Sequence, residues 1–168
     1  YEAVQVAVNR PVALQVMNPV FYSEPERVQQ FIAFAAAMAR LQNPYLTAVY
    51  EAGEGDGLIF YAREHLAGAS LPERLQEGRI LSEDLALQTI IHVGEALNYE
   101  KKNNIPHLPL TIDQVLIPDT GVPKLLTNVS GEGDEVSEGE WYEMRSLAAI
   151  IRQGMGGAGV SSPEYESI

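Results

Sequence analysis

The chain reads as an α+β fold in two lobes: a small antiparallel-sheet lobe with one helix, then a mostly helical lobe. Three observations predict it. Strand-like and helix-like segments are segregated along the chain, which is the α+β pattern. Two short-loop hairpin signals, Asn9-Arg10 and Asp56-Gly57, fall in the early part and predict antiparallel pairing. Hydrophobic residues make up 46% of 168 positions, enough for a globular core, and nothing repeats at a fixed period.

Tyr1 to Val8 alternates apolar and polar residues and reads as a strand. Asn9-Arg10 is read as the turn, and Pro11 to Met17 as a second, more buried strand. Ser23 and Glu26 fit a capping box with Pro25 in the first turn, so a helix is expected from Ser23 to about Leu41, before Asn43-Pro44. Its stripe is Phe31, Phe34, Ala35 and Met38. Ile32 and the surrounding alanines predict burial on more than one side.

Two strands follow, Leu46–Glu54 and Leu58–Leu66, joined through Asp56-Gly57. Ser70 caps a short helix. Ser82 starts a longer one, with Glu83 and Asp84 at its positive end and Lys101-Lys102 at its negative end. Its core stripe is Ala86, Ile90, Val93 and Leu97. Ile117 to Gly121 is a turn between two short apolar strands. Gly131–Glu140 is an acidic loop, and Trp141–Gln153 an amphipathic helix.

Composition excludes several classes. There is no cysteine, so disulfides, zinc thiolate sites and cysteine nucleophiles are ruled out. His65, His92 and His107 lack metal-ligand spacing. A net charge of −12 with three lysines repels a nucleic-acid backbone. No run of about 18 apolar residues is present, nor a signal-peptide pattern. A cytoplasmic location is expected, including the cytoplasmic part of an anchored protein. The absence of an initiator Met leads to the expectation that Tyr1 opens a fragment.

Taken in order, the phrases resemble the protein kinase fold, closest to bacterial Ser/Thr kinases. "RPVALQV" resembles the strand written Val-Ala-Ile-Lys. "FIAFAAAMARLQNPYLTAVYEAGE" resembles the regulatory helix and the next strand. "FYAREHLAGASLPERL" resembles the hinge and the helix after it. "ALNYEKKNNIPHLPLTIDQVLI" resembles the catalytic loop, "VPKLLTNVSG" the strand leading to Asp-Phe-Gly, and "EMRSLAAIIRQGMGG" the central helix of the large lobe. The resemblance implies residues 1–66 as an N-lobe lacking the Gly-rich loop strand, and 67–168 as a partial C-lobe, that is, a truncated helical lobe.

Kinase chemistry needs a lysine on the α/β-phosphates held by a helix glutamate, an aspartate as base, and an asparagine and aspartate for magnesium. By the resemblance these positions are Gln15, Phe34, Pro109, Gln114 and Thr127. The Asp-Phe-Gly site falls near Thr127-Asn128-Val129, within one residue, and neither alignment leaves a carboxylate there. His107 is kept, whereas Leu108 and Thr111 replace an arginine and a lysine. The adenine-pocket positions are Ala13, Arg63 as gatekeeper, Glu64 and Leu66 in the hinge, and Leu116. Arg63 shares a strand face with Tyr61 and Ile59, and we expect it to fill that pocket.

No catalytic residue, no cofactor and no metal are therefore expected, and the implied function is a pseudokinase: a binding or regulatory module of a larger protein. Two other readings stay open, an atypical kinase that binds ATP and a structural support domain. A protein partner or a homodimer is expected through the apolar helix faces of Phe31, Phe34 and Ile150. Gly154–Gly159 fits G-x-G-x-x-G but follows a helix, so it reads as a helix stop. The acidic run of Glu132, Asp134, Glu135, Glu138 and Glu140 does not match calcium-loop spacing.

Overall fold

A computed structural model describes residues 1–76, 81–105, 110–127, 147–148 and 151. Its first sheet contains β1 (Glu2–Gln5), β2 (Arg10–Val16), β3 (Val49–Gly55) and β4 (Leu58–Glu64), in the order β1-β2-β4-β3, all neighbours antiparallel. The first hairpin is looser than its sequence suggests. Val6–Val8 form a 3-10 turn and Asn9 takes the left-handed conformation at φ 48°, which asparagine tolerates. Arg10 is thereby freed to begin β2, where it pairs with Gln5 and donates from Nη2 to Gln5 Oε1 at 2.6 Å. Within β2 only Val12 is fully buried. The strand is less enclosed than its apolar sequence implies, because one neighbour is the exposed β1.

The second hairpin forms as read. Asp56 and Gly57 both have positive φ, 51° and 73°, as a two-residue type I′ turn requires. Its first strand starts later than expected, at Val49. Leu46 instead bridges to Leu125 in the other lobe.

Helix α1 (Pro25–Met38) starts without the capping box predicted at Ser23 and Glu26. Pro25 excludes its predecessor from the helical region, so Glu24 becomes the N-cap, at φ −109° and ψ 89°, and makes no side-chain cap. Its carboxylate instead pairs with Arg27 at 2.7 Å. Phe31, Ala35 and Met38 are buried and Phe34 is half-buried, while Ala33, Ala36 and Ala39 face solvent. The helix is therefore covered on one face only. Phe31, at 2% exposure, belongs to the lobe's own core with Met17, Val49, Ile59 and Tyr61. This corrects its expected role as a partner surface.

The second lobe adds a strand that sequence did not reveal, β5 (Gly68–Ser70), paired with β6 (Val115–Pro118), which pairs in turn with β7 (Lys124–Leu125). At Gly68 a Cβ would lie 2.5 Å from the Ile117 carbonyl oxygen, so only glycine permits this approach. Helix α2 (Leu71–Gln76) follows Ser70, whose N–H and hydroxyl both donate to Glu73 Oε2 at 2.7 Å. Helix α3 (Glu83–Lys102) matches its predicted bounds, with Ser82 accepting from Leu85 N–H. Ala86, Val93 and Leu97 are buried as read, Ile90 is half-buried, and Thr89, Ala96 and Glu100 are also buried.

This lobe's core joins α3 to Val115, Ile117 and Leu125. Leu147 and Ile151 are buried in it too, at 3% and 0% exposure. Both belong to the helix predicted over Trp141–Gln153. Most of the rest of that helix, with Trp141 and Ile150, lies outside the described residues, as do the acidic run and Gly154–Gly159.

Candidate functional site

Two cores imply a seam between them, and the sequence-predicted positions gather there. Register makes Gln15 and Tyr61 partners, and likewise Ala13 and Arg63. Cross-strand partners share a face, so Ala13, Gln15, Tyr61 and Arg63 project from one side of the sheet. Tyr61 is fully buried, and its ring meets Phe31 of α1 at 5.6 Å between centroids. Its hydroxyl lies 2.7 Å from the Gln15 carboxamide and 2.9 Å from the Thr127 carbonyl oxygen. That face of the sheet therefore turns toward the second lobe.

A carbonyl only accepts, and a phenol has one hydrogen. Turning the Gln15 carboxamide lets it donate to the phenol while the phenol donates to Thr127, which satisfies both contacts. Thr127 is held again from its other side. Its N–H donates to Thr47 Oγ1 and its hydroxyl to the Thr47 carbonyl, both at 3.0 Å. The Thr47 hydroxyl reaches Thr127 Oγ1 at 3.4 Å. Thr47 and Thr127 are both 2% exposed, so this is a buried, neutral network.

The floor of the seam follows from β6 and β7. Val115, Ile117 and Leu125 enter the helical core, so Leu116 and its partner Lys124 lie on the opposite face. Lys124 Nζ contacts both carboxylate oxygens of Glu64, at 3.0 and 2.8 Å, which places that face against the end of β4. Beside this pair the lobes share backbone bonds: Thr47 N–H to the Leu125 carbonyl at 3.0 Å, and Leu125 N–H to the Tyr45 carbonyl at 2.7 Å. Tyr45 stacks on His92 of α3 with 3.9 Å between centroids.

The remaining predicted positions are not assembled for chemistry. Gln114 Oε1 accepts from Thr111 N–H at 3.0 Å, closing a capping box around the turn Ile112–Gln114. Asp113 and Thr111 are exposed. Phe34 packs against the first core, and Leu66 is half-buried in the hinge. Arg63 is half-buried with Nε meeting no hydrogen-bond partner. Burial pushes its guanidinium below the usual arginine value, opposed by Tyr61 and then Glu64. His107, Leu108, Pro109, Asn128 and Val129 lie outside the described residues. Among the described residues no group of three His, Cys, Asp or Glu could hold a metal ion, and no helix is long and apolar enough to cross a membrane.

Sequence reading missed Tyr61 as the link between lobes, Thr47 as the clamp on Thr127, and the Glu64–Lys124 pair. The face shared by Tyr61 and Arg63 was a usable signal for the first. The other two join residues 80 and 60 positions apart, with no local signature.

The kinase domain of Mycobacterium tuberculosis PknI superimposes with a TM-score of 0.74, covering 92% of this chain and 68% of that one at 20% identity. The chain has a protein kinase-like fold. The apo form of PpkA-294 matches this kinase-like domain with a TM-score of 0.67, over 92% of this chain and 58% of that one at 18% identity.

In sequence, the relatives of the kinase-like domain are bacterial serine/threonine-protein kinases. A probable kinase of Clostridium acetobutylicum is 26% identical over 125 residues, 74% of this chain and 19% of the relative. PknA of Mycobacterium tuberculosis is 31% identical over 130 residues, 74% of this chain and 30% of the relative. The domain thus spans less than a third of either relative. No protein-family model matches it.

Proposed function

We propose that this kinase-like domain is catalytically inactive and serves as a binding or regulatory module of a larger protein. Residues 1–66 act as its N-lobe and 67–168 as its C-lobe. The observation that carries the reading is the Tyr61 bridge between Gln15 and Thr127. By resemblance these two positions hold the phosphate-binding lysine and the magnesium aspartate. Here both are neutral, and both are joined to one buried phenol.

Phosphoryl transfer depends on placing opposite charge around the transferring group, and magnesium is bound through carboxylate oxygens. Neither kind of charge is supplied at Gln15, Thr127 or Gln114. At the general-base position stands Pro109, which has no side-chain acceptor. The geometry supports a rigid connector, in which the network between Thr47, Tyr61 and Thr127 holds the lobes in one arrangement for a partner to read. The half-buried Phe34 edge of α1 is the surface proposed for that partner, and a cytoplasmic setting suits the acidic surface.

Thermal unfolding with millimolar ATP, with magnesium or with chelator, tests the reading. No magnesium-dependent rise is expected. A saturable rise of about 2–4 °C with magnesium would favour the ATP-binding alternative and overturn the proposal.

A further inference from the structure

We infer that the seam between the lobes is a receptor for a small organic carboxylate, with Arg63 as its cation. The inference rests on the non-catalytic reading of this cleft. Arg63 projects from the face of β4 that also carries Tyr61, the side turned toward the second lobe. Its Nε is buried and meets no acceptor. The adjacent carboxylate, Glu64, is engaged by Lys124 through both oxygens.

A buried donor with no acceptor is costly, and a partly desolvated cation more so. Among the described residues no carboxylate pairs directly with Arg63, and Glu64, whose charge offsets its desolvation in part, is held by Lys124. An external anion would meet that need.

A second donor is close by. Gln15 lies diagonally across the strand pair from Arg63, because Gln15 faces Tyr61 and Ala13 faces Arg63. Such neighbours are roughly 7–8 Å apart at the backbone, close enough for two long side chains to reach one carboxylate. Whichever way its amide is turned, Gln15 keeps at least one N–H beyond the contact with Tyr61. Ala13, the direct cross-strand partner of Arg63, is apolar and half-buried beside it.

The charge count favours a carboxylate over a phosphate ester. One guanidinium matches one negative charge, and a dianion would add excess charge to a protein already at −12. The planar guanidinium fork also fits a carboxylate through two parallel bonds.

Benzoate is the probe, titrated into the isotope-labelled chain and followed by amide and side-chain NMR, with benzamide as the neutral isostere and phenyl phosphate as the dianion. Benzoate is expected to shift the resonances of Gln15 and Arg63 in a saturable way, and benzamide is not. Arg63→Met should weaken binding roughly tenfold or more and raise the ligand-free melting temperature. Arg63→Lys should retain part of the binding. Equal binding of benzamide, tighter binding of phenyl phosphate, or full benzoate affinity in Arg63→Met would each overturn the inference. Magnesium-dependent phosphoryl transfer would instead overturn the non-catalytic reading, and it is scored by a different assay.

Discussion

Tyr61→Phe isolates the hydroxyl that joins the lobes. The ring stays, so the contact with Phe31 and the core volume are kept. What is lost is an oxygen 2.7 Å from the Gln15 carboxamide and 2.9 Å from the Thr127 carbonyl. Gln15 is half-buried and can turn to water, so its loss is small. The Thr127 carbonyl belongs to a residue 2% exposed and is left without that donor. Removing one partner of a buried hydrogen bond costs about 1–3 kcal/mol.

With a urea slope of roughly 2 kcal/mol/M for a domain of this size, that predicts a midpoint lower by about 0.5–1.5 M with an unchanged slope. Urea unfolding followed by circular dichroism reads it directly. Hydrogen exchange should also accelerate at the Thr127 amide, which donates to Thr47 in the same network. A stability change within about 0.5 kcal/mol, the level of an ordinary surface substitution, would refute the claim that this hydroxyl couples the lobes.

Lys124→Met leaves the shielded Glu64 carboxylate without its cation, keeping the contact from the Ala48 N–H at 3.4 Å. The side chains are 18% and 24% exposed, between the surface and buried limits, so a loss of about 1–3 kcal/mol is expected, and adding Glu64→Gln should recover most of it in the same urea assay. Phe34→Glu should cost about 1–3 kcal/mol, because a carboxylate would replace a half-buried ring against the first core; a neutral result would show that this face is open to water. Glu73 tests pH dependence. The Ser70 hydroxyl, and secondly its N–H, hold the Glu73 carboxyl below its ordinary value. A depressed carboxyl stabilises above the unfolded value and loses that contribution as pH falls through the lower folded value. The Ser70 amide resonance should therefore titrate below pH 4.5; a midpoint at or above it would contradict the bond.

The legible parts of the fold were those with local chemistry. Asp56-Gly57 declared its turn, and Ser82 with Glu83, Asp84 and the terminal lysines declared α3 at both ends. The start of α1 misled, because the serine-to-glutamate spacing suggested a box while Pro25 moved the cap by one residue. β5 is three residues long, too short for a period to show, and its pairing depends on a glycine beside a distant carbonyl. At the site, the replaced side chains at Gln15 and Thr127 could be read from the order of phrases. Their junction through Tyr61 could not, since it needs the register of β2 on β4 and the fold of the second lobe back onto the first. Glu64–Lys124 and Thr47–Thr127 were hidden for the same reason.

Transfer of the γ-phosphate of ATP, with magnesium present, to the domain itself or to serine- and threonine-containing peptides tests the central claim most directly. The account predicts no incorporation above a no-protein control, in the original chain and in Tyr61→Phe alike. Magnesium-dependent incorporation by the original chain would contradict it, and would place catalytic groups outside Gln15, Phe34, Gln114 and Thr127.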